Sequence, residues 1–221
     1  DNFATIVMAI ERGRWIYDNI KKYLTYLLRC NITEVIVIGG AVLVLGPHYL
    51  PLLPAAILYI NLVTDGLPAL ALGVAPADPD VMRRPPRDPK EKVFTKDILL
   101  FLAIAVVMWS PLLLFVFIHD LKDIVHARTE LFYLFLFVEL VIALNSRSLR
   151  YSFFTLRPHK WLVIAVVSQV ALTAGLLLIP SIRAGFGILP PRPQDIAIML
   201  AFGAFVFLSM EGIKAYLRRR A

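Results

Sequence analysis

Three acidic residues stand inside otherwise apolar runs: Glu34, Asp65 and Glu139. A carboxylate at membrane depth is expensive and marks a functional position by default. Each has oxygen-bearing neighbours. Asn31 and Glu34 are three positions apart, so they share one face of a helix. Asn61, Thr64 and Asp65 stand at i, i+3 and i+4, again on one face. Glu139 stands alone in Phe137-Val138-Glu139-Leu140, with Asn145 near the end of the same run. All these donors are oxygens, which suit Ca²⁺, Mg²⁺ or Mn²⁺ rather than Zn²⁺ or Cu⁺. Ca²⁺ takes about 6–8 oxygens and accepts bidentate carboxylates. The three acids with amide and hydroxyl oxygens reach that number at one site. Cys30 adjoins Asn31 but is expected to face elsewhere on the helix, and no His joins the set. Gly66-Leu67-Pro68 follows Asp65. Pro68 frees the carbonyl four residues back, that of Thr64, and a helix broken at membrane depth is tolerated where it lines a site.

A plainer reading competes. Asn and Thr in membrane helices often only join helices through hydrogen bonds, and for Asn31 or Thr64 singly that reading stands. Three carboxylates are different, because in a low dielectric they require a cation or protons. Arg29 is the basic residue nearest them, but five positions from Glu34 puts the two on different faces. Among the other polar residues, Ser168 and Gln169 read as helix-packing groups and Glu211 as a local partner of Lys214. His48, His119, His126 and His159 lie in or near loops and are expected not to cluster. Trp109 reads as a buried or lipid-facing ring and Trp161 as an interface anchor.

The elements that must position these groups follow from composition. The chain has 221 residues, 59% of them hydrophobic, and a mean hydropathy of +0.73. Soluble domains are closer to half apolar. The expected fold is an all-α membrane protein, a bundle of six transmembrane helices with a cytoplasmic stalk on the first. A bilayer core of roughly 30 Å needs about 20 apolar residues as helix. The spans fall near residues 27–45, 54–74, 98–118, 131–149, 161–180 and 196–216. Apolar residues at helical spacing between Ala4 and Tyr26, with no break from Trp15 to Ile38, make residues 1–26 a stalk continuous with the first span. Residues 217–221 form a basic tail. All but five of the 23 Lys and Arg residues fall in the stalk, the 76–97 loop, the 146–160 loop and the C-terminal end, and one of the five, Arg29, lies just past the stalk. The positive-inside rule then puts both termini in the cytoplasm. The 76–97 loop, rich in Pro and charge, is expected to be extended and solvated, with docking as the alternative.

The net charge of +7 belongs to this topology and not to a nucleic-acid partner, since acids alternate with bases in the loops. A single cysteine excludes a disulfide framework. There is no Gly-rich phosphate loop, no Asp-Lys-Thr-Gly, no Gly-x-Ser-x-Gly and no His-Glu-x-x-His, so the chain alone is expected to hydrolyse nothing.

Several stretches resemble the C-terminal half of the membrane domain of P-type ATPases, most closely the Ca²⁺-transporting pumps of the sarco/endoplasmic reticulum type and their prokaryotic relatives. Asp1-Asn2-Phe3-Ala4-Thr5-Ile6-Val7 is similar to the end of the phosphorylation domain, and Asn31-Ile32-Thr33-Glu34-Val35 to the ion-binding segment of the fifth helix. Asn61-Leu62-Val63-Thr64-Asp65-Gly66-Leu67-Pro68-Ala69 resembles the sixth helix. Met82-Arg83-Arg84-Pro85-Pro86-Arg87 resembles the loop after it, and Glu139-Leu140-Val141-Ile142-Ala143-Leu144-Asn145-Ser146 the eighth helix. The resemblance covers essentially the whole chain, so the spans would be helices five to ten. It implies that Asn31, Glu34, Thr64, Asp65 and Glu139 build one calcium site, and that Asn61 and Asp65 contribute to a second. It implies Ca²⁺ as the transported ion, with Mn²⁺ also open, and proton countertransport in the complete pump. ATP and Mg²⁺ would act only in missing domains. The partners would be the N-terminal membrane helices and the cytoplasmic ATPase domains of the same pump, together with the lipid bilayer. The fourth helix, the phosphorylated Asp and the nucleotide and actuator domains are not in this sequence, which implies an excised module or a separately encoded subunit. The link around His119–Glu130 is shorter than in the animal pumps. The alternative function is a structural or partner-binding membrane module without ion transport of its own.

Overall fold

The computed structural model describes residues 3–86 and 93–220, all helical or irregular, with no strand among them. A single helix, α1, runs from Phe3 to Leu45. Its buried positions Tyr26, Cys30, Glu34, Val37 and Ala41 recur at three- and four-residue steps, the stripe that faces a helix partner. Gly46, at φ 90°, ends it in a conformation that suits glycine. The next span is interrupted. It comprises α2 (Pro54–Tyr59), a π-helical turn (Ile60–Thr64) and α3 (Gly66–Gly73). The third span is built the same way, from α4 (Lys96–Ile104), a π-helical turn (Ala105–Trp109) and α5 (Ser110–His119). Then come α6 (Ile124–Asn145), α7 (Lys160–Leu177), the short α8 (Pro180–Phe186) and α9 (Pro193–Arg220).

Five helical stretches are long and apolar enough to cross a membrane: those containing α1, α2–α3, α4–α5, α7 and α9. The sixth, α6, is not among them, because it carries His126, Arg128, Glu130 and Glu139. It is instead the most enclosed helix. It packs against α9, α5, α7, α3 and α1, and most of its residues are buried. Outward faces elsewhere are apolar, with Val35, Leu43, Leu62, Leu70, Val107 and Leu178 well exposed. The helix starts at Ile124, seven residues ahead of the expected span, and stops at Asn145 rather than 149. Asp123 sets the start by accepting the backbone N–H of His126 at 3.1 Å, the role of an N-cap.

The 76–97 loop departs from the extended, solvated connection its composition suggested. Residues 87–92 lie outside the described residues, but the part before them is docked. Asp78 is 4% exposed and binds Lys22 Nζ at 3.0 Å, Arg147 Nη1 at 3.1 Å and Ser148 Oγ at 2.7 Å. Arg84 grips Asp80 with two donors, at 2.6 and 2.8 Å, and reaches Asp18 at 2.6 Å. On the stalk, Trp15 and Asn19 donate to the Ala75 carbonyl, and Arg14 donates to those of Val81 and Arg84. A Pro- and charge-rich composition resembles a linker, but here the charges are matched across three segments. Burial lowers the pKa of Lys22, against the pull of Asp78. The Arg84 hydrogen bonds hold the Asp80 carboxyl below its ordinary value.

Candidate cation-binding site

The six expected ligands fall on three elements. Asn31 and Glu34 come from α1, Asn61 and Thr64 from the π-helical turn, Asp65 from its junction with α3, and Glu139 from α6. The junction is where local sequence matters most. The wide turn is closed by the Asp65 N–H bonding to the Ile60 carbonyl, five residues back, at 3.0 Å. Pro68 has no N–H to give to Thr64. The freed Thr64 carbonyl accepts instead from the Tyr26 hydroxyl at 3.3 Å. Backbone polarity at this depth is thus met from α1, and the turn is held against it.

The side chains converge in two linked pairs. Asn61 Nδ2 donates to Glu34 Oε2 at 2.9 Å and to the Ile57 carbonyl at 3.1 Å. Asp65 accepts from Tyr26 at 3.1 Å through Oδ1, and from Asn31 Nδ2 at 3.5 Å through Oδ2. Glu139 offers an oxygen that lies, with one from Asp65 and the Cys30 sulfur, in a group spanning no more than 4.8 Å. Glu34, Asp65 and Glu139 are 4%, 1% and 1% exposed. Several oxygens on these segments have no hydrogen-bond partner among the described residues: both of Glu139, Oε1 of Glu34, Oγ1 of Thr64 and Oγ1 of Thr33. Buried polar atoms are normally satisfied, so this many orphan acceptors in one place calls for a species that supplies positive charge. A hard cation suits them, since carboxylates and hydroxyls are its usual donors.

The nearest fixed positive charge does not fill this need. Arg29 is fully buried one turn away, but its Nε donates to the Thr25 carbonyl at 3.1 Å and its Nη2 to Ser146 at 2.6 Å. Its guanidinium lies over the Phe101 ring, 5.3 Å from the centroid. It ties α1 to the end of α6 and forms no ion pair with Glu34 among the described residues.

The family model for the C-terminus of cation-transporting ATPases matches residues 49–216. The chain belongs to that family. It is 34% identical to a calcium-transporting ATPase of Bacillus subtilis (strain 168), over 96% of this chain and 24% of the relative. It is 36% identical to calcium-transporting ATPase 1 of Bacillus cereus, over 97% of this chain and 26% of the relative. It is 33% identical to calcium-transporting ATPase type 2C member 1 of Homo sapiens, over all of this chain and 24% of the relative. The chain therefore spans about a quarter of the length of these relatives. As a member of the cation-transporting ATPase family it is an integral membrane domain built of helices.

Cys30 and Tyr26 line the site as well. Adjacency to Asn31 points Cys30 to another face. Measured from Glu34, however, it is four residues back and on the same face, and it joins the Asp65–Glu139 group. Tyr26 lies a further turn back on that stripe. The i, i+4, i+8 recurrence of Tyr26, Cys30 and Glu34 was the available signal. His126 also departs from expectation. It clusters with carboxylates, though at the opposite end of the bundle. Gln169 is buried with neither amide atom partnered, whereas Glu211 does meet Lys214, at 3.2 Å. Trp109 is buried, its indole donating to Ser209 Oγ at 3.1 Å.

Proposed function

We propose that this chain is the ion-binding part of the membrane domain of an ATP-driven pump whose cargo is Ca²⁺. The observation that carries this is the convergence of Asp65 and Glu139 oxygens from two spans, with Glu34 of α1 tied to the same turn through Asn61; three of the six carboxylate oxygens are orphaned among the described residues and the other three accept from Asn or Tyr donors. Asn31, Asn61 and Thr64 complete the donor set, by rotation of the amides so that their oxygens face the ion. The oxygen chemistry favours Ca²⁺ or Mn²⁺, and the calcium-transporting relatives favour the former.

In this reading both termini face the cytoplasm, and the stalk of α1 and the docked loop at Asp78 carry movement from ATP-driven domains into the site. Those domains, with their ATP and Mg²⁺, and the N-terminal membrane helices lie in other parts of the pump. When the cage is pulled open, crowded and desolvated carboxylates favour protons over staying charged, which yields proton countertransport. Residues 1–26 act as the end of the phosphorylation domain and stalk, and 217–221 as a basic tail at an anionic leaflet.

The test is ⁴⁵Ca²⁺ binding to the chain in detergent, wild type against Asp65→Asn. The substitution removes the carboxylate on which Tyr26, Asn31 and the Glu139 group meet, and Ca²⁺ affinity is expected to fall by at least about tenfold, the least that loss of a metal partner costs. Equal affinity in the two proteins would remove Asp65 from the site. No binding to either, restored by adding the N-terminal half of a pump, would favour a partner-binding module.

A further inference from the structure

A second group of ligating side chains sits at the end of the bundle remote from the stalk. Asp120 lies in the turn after α5, and His126 and Glu130 lie one turn apart on α6. Each offers one ligand atom, and the three atoms lie within 4.8 Å of one another. We propose that Asp120, His126 and Glu130 bind a first-row divalent metal ion of the Zn²⁺ type, separate from the cargo site.

Three observations carry this. The first is Glu130. The residue is 4% exposed, and its carboxylate forms no hydrogen bond among the described residues. The second is the economy of donors. His126 Nε2 lies 3.2 Å from Asp120 Oδ2 and 3.4 Å from Asp195 Oδ1. One ring nitrogen faces two carboxylates and forms no ion pair with Glu130 among the described residues. Three other charged groups nearby are already engaged. Asp123 caps α6 through the His126 N–H, Asp195 Oδ2 accepts the Arg192 N–H at 2.6 Å, and Arg128 turns away to the Leu50 carbonyl at 2.8 Å. A plain ion-pair clamp would account for His126 with Asp120 and Asp195, but not for a third buried acid pointed at the same place.

The third is reach. Zn²⁺ holds His nitrogen and carboxylate oxygen at about 2.0–2.2 Å, so two of its ligands stand no more than roughly 4.4 Å apart. Separations below 4.8 Å close to that with small side-chain rotations. His126 and Glu130 at i and i+4 project from one helical face, and Asp120, at 41% exposed, leaves an open side for a water as fourth ligand. The imidazole distinguishes this group from the oxygen-rich site at Asp65, since imidazole suits Zn²⁺ over Ca²⁺.

The experiment is a Zn²⁺ titration of the purified chain in detergent, by competition with a chromogenic chelator and by thermal unfolding. Wild type and Asp65→Asn are both expected to take up Zn²⁺ and to gain in melting temperature. Glu130→Gln and His126→Gln are expected to lose at least about tenfold in affinity, with helix content by circular dichroism unchanged. Asp120→Asn, at the exposed ligand, makes the same test should either buried variant misfold. No uptake by folded wild type, or equal uptake by wild type and a folded ligand variant, would overturn the proposal. Loss in Asp65→Asn instead would assign the Zn²⁺ to the cargo site and overturn it equally.

Discussion

Asp78→Asn perturbs the joint between the stalk and the loop that follows α3. The substitution keeps the shape and removes the charge. Lys22, 2% exposed, and Arg147 are then left buried with no carboxylate. Removing one partner of a buried ion pair costs about 3–5 kcal/mol, because the survivor is stranded. At about 1.36 kcal/mol per decade, the equilibrium between docked and detached loop moves by roughly two to four orders of magnitude. The loop is small and tied mainly by these contacts, so the cost appears as local opening rather than global unfolding. Hydrogen exchange reads this directly. The Val81 and Arg83 amides, bonded to Asp78 and Asp80 carbonyls at 3.1 and 2.9 Å, are expected to lose their protection. Amides in the middle of α6 keep theirs. Asp80→Asn is the control, since its partner Arg84 is about a fifth exposed and partly solvated pairs contribute only about 0–1 kcal/mol. Pairing Asp78→Asn with Lys22→Met removes the stranded ammonium and is expected to restore part of the protection. If exchange at Val81 and Arg83 in Asp78→Asn matched that in Asp80→Asn, burial of the pair would not be what holds the loop.

Two further outcomes follow from the packing and the charges. A Cβ at Gly203 of α9 would enter the Phe137 ring of α6, so Gly203→Ala is expected to cost about 1–3 kcal/mol, as overpacking does; an unchanged melting temperature in detergent would contradict this contact. Asp80 has a folded-state pKa below its ordinary value, because Arg84 bonds the charged form. Its contribution to docking is therefore complete above about pH 4, the usual unfolded value, and declines as pH falls through the lower folded value. Acid titration of loop exchange should show that loss in wild type and not in Asp80→Asn.

Five of the six expected spans, and the burial of the acidic positions, could be read from the sequence because lipid-scale hydropathy and acidic interruptions are coarse signals. The Thr64 carbonyl could also be anticipated, since proline acts on a fixed neighbour four residues back. The π-helical turn beside it could not. It rests on the Asp65 N–H bonding the Ile60 carbonyl five residues back, in a turn that Tyr26 of α1 braces through the Thr64 carbonyl, a long-range contact that local propensity does not record. The face of Cys30 follows from Glu34, four residues on, and not from its neighbour Asn31. The docking of Asp78 was hidden for another reason. Its partners Lys22 and Arg147 are 56 and 69 residues away, and composition carries no record of pairing at that range. The placement of His126 beside Asp195 is of the same kind.

The enclosure of α6 has a consequence for biogenesis. An Arg or Asp at the centre of a helix costs roughly 2.5–3.5 kcal/mol on the scale set by translocon insertion, and α6 carries several ionisable side chains without the apolar surplus of its neighbours. Such a segment gains little by partitioning into lipid alone. Its most extensive neighbour, α9, is synthesised only after α7 and α8. Maturation of the bundle should therefore stall with α6 near the protein-conducting channel until α9 emerges. A ribosome arrested before residue 193 would leave α6 accessible to water-soluble labelling reagents, whereas emergence of α9 would seal it.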